Sequence, residues 1–303
     1  MNLQRVLNSR EAGLWALRIS KFLSPAMGVR FSQFVADRIV LNRQLPLVQA
    51  IRANRWVMSG GQLAGDDLDR AVRASLRQIA RSYFTLFHYL DNPVELQNLV
   101  EFDQTFEAML ARSREKNHAM MAVGLHLSNF DLVLQAAAWH GMRGLALTLP
   151  DGTENQEAVN WQHAFRRQSG LDLVPASMSN LRLAIRRLQA GETVLTGIDR
   201  PIRSAKYYPV FFGRPAHVPI HHIHLALAAR VPFMVFGARQ SPDGIYQIFA
   251  SEEIPLLSYT NRDVELLSNA ERVLEVAASF IRQAPDQWSI TLPAWPEVLP
   301  ELP

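Results

Sequence analysis

Apolar positions recur along this 303-residue chain in two rhythms, and the rhythm changes near residue 100. Before it, the spacing is helical. In 11–23, Ala12, Trp15, Ala16, Ile19, Phe22 and Leu23 fall on one face. The clearest pattern spans 66–90, where Leu68, Val72, Leu76, Ile79, Tyr83, Leu86, Phe87 and Leu90 form one stripe at a period of about 3.6. Arg70, Arg73, Arg77 and Arg81 form the opposite stripe, and Asp66, Asp67 and Asp69 occupy the first turn, where the helix dipole favours acids. The arginine stripe reads first as a solvated outer face and second as a phosphate-contacting one.

After residue 100 the apolar runs shorten. Runs at 120–125, 144–149, 171–175, 193–198 and 231–238 are bounded by Gly, Pro or polar clusters and predict strands, as does Tyr246–Ala250. Helical segments at 128–140, 154–169, 177–190 and 220–230 alternate with them, and a helix over 262–283 precedes a Pro- and Trp-rich tail. Such alternation predicts an α/β fold, with a mostly parallel central sheet flanked by helices and an N-terminal helical segment. We expect a helical, membrane-facing segment over 1–100 and an α/β domain over 101–303, forming one compact unit. The tail from Pro285 to Pro303 is expected to wrap the surface.

Composition narrows the function classes. The chain is 48% hydrophobic and 19% charged, as folded proteins are. It has no cysteine, which removes disulfides, thiolate nucleophiles and Cys-type zinc sites. No uncharged apolar run reaches 18 residues, and the first thirteen residues lack the apolar core of a signal peptide. The formal net charge is only +3, but residues 1–55 hold nine Lys/Arg against Glu11 and Asp37. That leaves +7 on the N-terminal segment and −4 on the rest. Basic residues mixed with Leu and aromatics suit an anionic membrane surface better than nucleic acid, whose motifs are missing. A solvated basic surface is the plainer meaning.

The most informative stretch is His126-Leu127-Ser128-Asn129-Phe130-Asp131. It follows a predicted strand and opens a predicted helix, which puts it at the strand ends where open α/β sheets place ligands. A histidine there can take a proton from a hydroxyl, with Asp131 folding back to fix its tautomer. Ser128 reads as an N-cap with Asp131 three residues on, and that capping box is the plain structural reason for both. Amides near Ser128–Phe130 are positioned to stabilise an oxyanion. His217, His221, His222 and His224 cluster at helical spacings, yet no acid near them in sequence completes a metal site, so a metal is not expected. Gly-x-Ser-x-Gly, Walker A and Gly-x-Gly-x-x-Gly patterns are missing from the sequence.

Three further segments accompany the histidine motif: Arg167-x-x-Gly170, Asp199-Arg200 after a strand, and Phe211-Phe212-Gly213-x-Pro215-Ala216. Taken in this order with His126-x4-Asp131 and its Asn129, they resemble the lysophospholipid acyltransferase superfamily. The nearest branch is that of bacterial lipid A lauroyl/myristoyl and phosphatidylinositol mannoside acyltransferases. Gln287-Trp288 matches a C-terminal pair common there. The likeness runs over about 100–295. Ser128 departs from the pattern, which has Gly, and Leu149-Pro150-Asp151-Gly152 replaces an expected Glu-Arg or Tyr-Arg-Pro segment.

The resemblance implies transfer of a fatty acyl chain from an acyl thioester, on CoA or acyl carrier protein, to a hydroxyl of a membrane lipid or glycolipid. It implies His126 and Asp131 as the catalytic dyad. Asn129, Arg167, Asp199, Arg200, Phe211 and Phe212 are the implied substrate contacts, with Phe211 and Phe212 in an acyl groove. No cofactor beyond the co-substrate, no metal and no nucleic acid are expected. The expected place is the cytoplasmic face of the cell membrane, bound peripherally. A thioesterase, or a non-catalytic lipid or acyl-thioester binding protein on the same fold, is the alternative.

Overall fold

The computed structural model describes residues 18–89, 92–115, 117–148, 171–203 and 205–303. The N-terminal part is helical, with α1 (Pro25–Val40), α2 (Pro46–Met58), α3 (Gly65–Tyr89) and the short α4 (Pro93–Gln97). There follow β1 (Val100–Phe102), α5 (Gln104–Arg114), β2 (Met120–Gly124), α6 (Phe130–Trp139), β3 (Leu145–Thr148) and β4 (Asp172–Pro175). Then come α7 (Met178–Gln189), β5 (Thr193–Gly197), a small hairpin of β6 (Val210–Phe211) and β7 (Arg214–Pro215), and α8 (His221–Ala229). β8 (Phe233–Gln240), β9 (Tyr246–Ala250) and α9 (Arg262–Gln283) follow, and the tail carries two short 3-10 turns, Pro285–Gln287 and Pro296–Glu301. The predicted helix at 154–169 and most of that at 11–23 lie outside the described residues.

Among the described residues seven strands form one sheet in the order β1-β9-β8-β2-β5-β3-β4. β8, β2, β5, β3 and β4 run parallel, whereas β9 is antiparallel to β8 and β1 is parallel to β9. β1 and α5 were not foreseen, because three residues are too few for a strand period to show. The unbroken apolar run of β2 has a direct cause, since both faces of a parallel sheet are covered. Met121 and Val123 join one core with Leu188 of α7, Ala226 of α8 and Ala277 of α9. Met120 and Ala122 join the other with Met109 of α5 and Ala136 of α6.

The helices α1, α2 and α3 share a third core through Ala36, Ile51, Val72 and Leu76. Part of the arginine stripe of α3 pairs with α1 while remaining exposed to solvent. Arg77 binds Asp37 with Nε and Nη2 at 2.7 and 2.6 Å, and burial-opposed pairing holds the Asp37 carboxyl below its usual range. A side chain at Gly28 of α1 would overlap the Phe84 ring of α3, so glycine sets how closely these helices approach. The C-terminal tail departs from expectation. It threads into the core, with Trp288, Ile290, Ala294 and Trp295 buried. Asn54 of α2 clamps it, donating to the Leu292 carbonyl at 3.0 Å and accepting from the Ala294 amide at 3.0 Å.

Candidate active site

The site forms at the C-terminal ends of the two central strands. β2 and β5 pair in parallel with Gly124 opposite Gly197, and each chain then runs one aliphatic residue further, Leu125 and Ile198. His126 and Asp199 therefore occupy equivalent positions, two residues past matched glycines. Their side chains meet: His126 Nδ1 lies 2.6 Å from Asp199 Oδ1. The His126 backbone N–H also donates to the same carboxylate, at 3.0 Å to Oδ2 and 3.2 Å to Oδ1. The Trp288 indole N–H supplies a further donor at 2.7 Å. Asp199 has no exposed surface. A buried carboxylate needs such donors, because an unpaired charge in a dry interior is very costly.

The imidazole is packed as well as bonded. It stacks on Phe130, with centroids 4.8 Å apart and planes at 26°. On its other side lies Gly197, where an added Cβ would sit 3.0 Å from His126 Cε1. Gly124 is equally constrained, since a Cβ there would come within 2.6 Å of the Phe130 ring. The matched glycines thus leave room for the two rings that shape the site. With Nδ1–H committed to Asp199, Nε2 carries the lone pair, an assignment that follows from the hydrogen bond.

His126 opens onto a cavity of about 100 Å³. Its wall is formed by Ile79, Ser82, Tyr83 and Leu86 of α3, by residues 128–131, by Arg200, and by tail residues 289–292. His126, Asn129, Asp131 and Arg200 are thus brought together around one space. Asp131 stands in the first turn of α6. The carboxylate on the Nδ1 of His126, however, is Asp199 and not Asp131. The helix cap also differs from expectation. Asn129 is the N-cap, its side chain accepting from the Leu132 amide at 3.3 Å and donating to the Ser82 carbonyl at 3.1 Å. Ser128 instead takes a left-handed conformation with φ 56°. Its amide donates to the Gln287 carbonyl at 2.7 Å, which removes it from any oxyanion site.

Other expected contacts fall elsewhere. Asp199 is sealed away from the cavity by its protein donors. Phe211 and Phe212 are not in the cavity wall. Phe211 is buried against Trp288 and Trp295, with centroids at 6.1 and 5.7 Å, and so supports the tail from beneath. Arg167 lies outside the described residues. The histidine cluster disperses: His217 binds Glu297, eighty residues on, while His222 is buried and His221 is partly buried. Burial holds the His221 imidazole down to about 4 and that of His222 well below its ordinary range. Among the described residues no group of three or more His, Cys, Asp or Glu is placed to hold a metal ion.

The family profile of bacterial lipid A biosynthesis acyltransferases matches residues 63–296. The chain belongs to this family. Members are acyltransferases of lipid biosynthesis, with a lipid acceptor and an acyl donor. The matched span takes in α3, the whole sheet and the tail through Pro296, and so covers every wall of the cavity. No curated protein gives a significant match to the sequence. The motif order read from the sequence and the profile match agree on the branch.

Two contacts around His126 were not legible in the sequence. Asp199 was read as a substrate contact and Trp288 only as half of a pair. The available signal was the repeat of strand, Gly, aliphatic residue, then His or Asp, at Gly124-Leu125-His126 and Gly197-Ile198-Asp199. Its meaning depends on knowing that those two strands are neighbours.

Proposed function

We propose that the protein moves a fatty acyl chain from an acyl thioester, on CoA or acyl carrier protein, to a hydroxyl of a membrane lipid or glycolipid, with His126 as general base. The observation that carries this is the buried Asp199 carboxylate on His126 Nδ1, which fixes the tautomer with Nε2 as base at the cavity wall. Nε2 takes the proton of the acceptor hydroxyl. The alkoxide attacks the thioester carbonyl, the new C–O bond forms, and collapse breaks the C–S bond. The leaving thiolate recovers the proton from the imidazolium, which Asp199 stabilises throughout. Charge on the tetrahedral oxygen is met by the N-terminal dipole of α6, whose first residues line the cavity. Asp131 gives the cavity a carboxylate, and Arg200 a cation suited to a donor or headgroup phosphate.

The acceptor is reached from a bilayer surface. No helix among the described residues is long and apolar enough to cross a membrane. Met27, Phe31, Phe34 and Leu41 stand exposed along the outer face of α1, and Phe22 just before it is 90% exposed. Arg38 lies over the Phe34 ring, so apolar and cationic groups share this face as interfacial helices require.

Purified wild type and His126→Ala are compared with radiolabelled acyl thioester and lipid acceptor, scoring ester and free fatty acid separately. Ester formation by wild type and a loss of roughly 10²–10⁴-fold in the variant are expected. Free fatty acid as the main product indicates a thioesterase, and equal ester formation by both proteins overturns the reading.

A further inference from the structure

The tail segment Gln287-Trp288-Ser289 is strapped along the histidine loop, backbone to backbone. Ser128 donates to the Gln287 carbonyl at 2.7 Å, and the Ser289 amide donates to the His126 carbonyl at 2.8 Å. Leu127 and Trp288 thereby form a two-residue antiparallel bridge. The Ser289 hydroxyl donates to the same His126 carbonyl at 2.8 Å. Gln287 anchors the strap to the sheet. Its side-chain oxygen accepts from the Gln240 amide at 2.7 Å, and its side-chain nitrogen donates to the Gln240 carbonyl at 2.9 Å, at the end of β8. Ser128 keeps its left-handed conformation inside this frame, a state that is strained for a non-glycine residue and persists only when its surroundings impose it.

From the centre of the strap, Trp288 points its indole N–H at the Asp199 oxygen that His126 Nδ1 does not use. Phe211 and Trp295 pack around that indole, with centroids 6.1 and 6.2 Å away, and it is buried. We propose that Trp288 is a positioning residue of the acyltransferase: by holding Asp199 Oδ2 it orients the carboxylate on His126, so that indole, carboxylate and imidazole act as one relay delivered by the C-terminal strap. The proposal rests on the acyl-transfer reading. The physical reason is geometric. The His126 amide spans both carboxylate oxygens at 3.0 and 3.2 Å, and the indole adds a shorter bond of 2.7 Å to Oδ2, so together they resist rotation about the Cβ–Cγ bond and fix the carboxylate plane. That plane fixes the direction of the Nδ1 hydrogen bond and with it the aim of Nε2. Charge-assisted bonds of this kind are the strong ones.

Trp288→Phe keeps an aromatic ring and removes the donor. Its expected effect is a fall of about tenfold in kcat with KM nearly unchanged, the size of one hydrogen bond to a charged group. A cycle with Asp199→Asn separates positioning from packing. If Trp288 acts through Asp199, its loss costs little once the carboxylate is gone. Equal fold losses in both backgrounds, or unchanged kcat, overturn the proposal. The low-field proton resonance of His126 Nδ1, identified by its loss in His126→Ala, should shift or broaden in Trp288→Phe. This arm needs no turnover, so it tests the relay even if wild type makes no ester. Should Trp288→Phe fail to fold, Asp199→Asn carries the test, because one of the six indole N–H resonances must then move in the nitrogen-edited spectrum. Six unmoved indole signals reject the contact.

Discussion

At the residue scale, the site turns on which carboxylate serves His126. Asp199 is fully buried and bonded to the ring at 2.6 Å, while Asp131 stands in the cavity wall. Asp199→Asn keeps the shape but offers an amide that can hold the wrong tautomer, so kcat should fall roughly 10²–10⁴-fold. Asp131→Asn should lower it less, by about tenfold, through the charge of the cavity. Steady-state rates of the two variants, read beside their melting temperatures, decide between them, and a larger loss at Asp131 reverses the assignment. A methyl group at Gly197 presses on His126 Cε1 from 3.0 Å. Gly197→Ala should therefore reduce kcat while the protein still melts cooperatively. Retained activity would mean the ring has room to move.

At the scale of elements, α1 has two apolar faces with different fates. Ala36 and Val40 are buried with α3 and α2, while Phe31 and Phe34 on the outer face stay 48% and 53% exposed. Burying the exposed half of each ring in a bilayer interface is worth on the order of 1 kcal/mol. Phe31→Ser with Phe34→Ser should thus weaken binding to anionic vesicles roughly thirtyfold. The ion pair of Arg77 with Asp37 and the α1–α3 packing remain intact, so melting should not change. Sedimentation with anionic and neutral vesicles checks this, and undiminished binding would place the contact elsewhere. The helical period of 66–90 was readable because one α3 face is core. That Arg73 and Arg77 point at Asp37 was not, because a charged stripe has the same sequence whether it faces water or a neighbouring helix.

Over the whole molecule, buried histidines link the fold to pH. His221 is held down to about 4 and His222 lower still, chiefly by burial, with neighbouring histidines adding to it. The unfolded chain therefore binds protons below about 6.5 that the folded chain refuses. Stability is complete above that pH and falls as pH drops toward 4, by about 3 kcal/mol for His221 alone once its folded value is reached. Urea midpoints should be level from pH 8 to 7 and fall steadily from pH 6.5 to 4.5. His222→Leu should flatten that slope, and an unchanged slope would assign the acid sensitivity to other groups.

Local pattern determined much of this protein. β2, β5 and β8 declared themselves as apolar runs because they are buried on both faces, and α3 and α9 because each buries one stripe. His126 was placed at a strand end because the strand and the following helix were both legible around it. Partnership across the sheet was decided only in three dimensions. Asp199 reaches His126 because β5, fourth in sequence among the five parallel strands, inserts beside β2, and strand order is a property of packing that no local period encodes. Trp288 arrives from 162 residues beyond His126, brought by a tail whose turns and prolines read as surface and whose tryptophans proved to be core. Ser128 could take an unusual backbone state because that tail holds it there. Short-range periodicity reports which face of an element is dry. Which dry faces meet is settled by the competition of all of them for one interior.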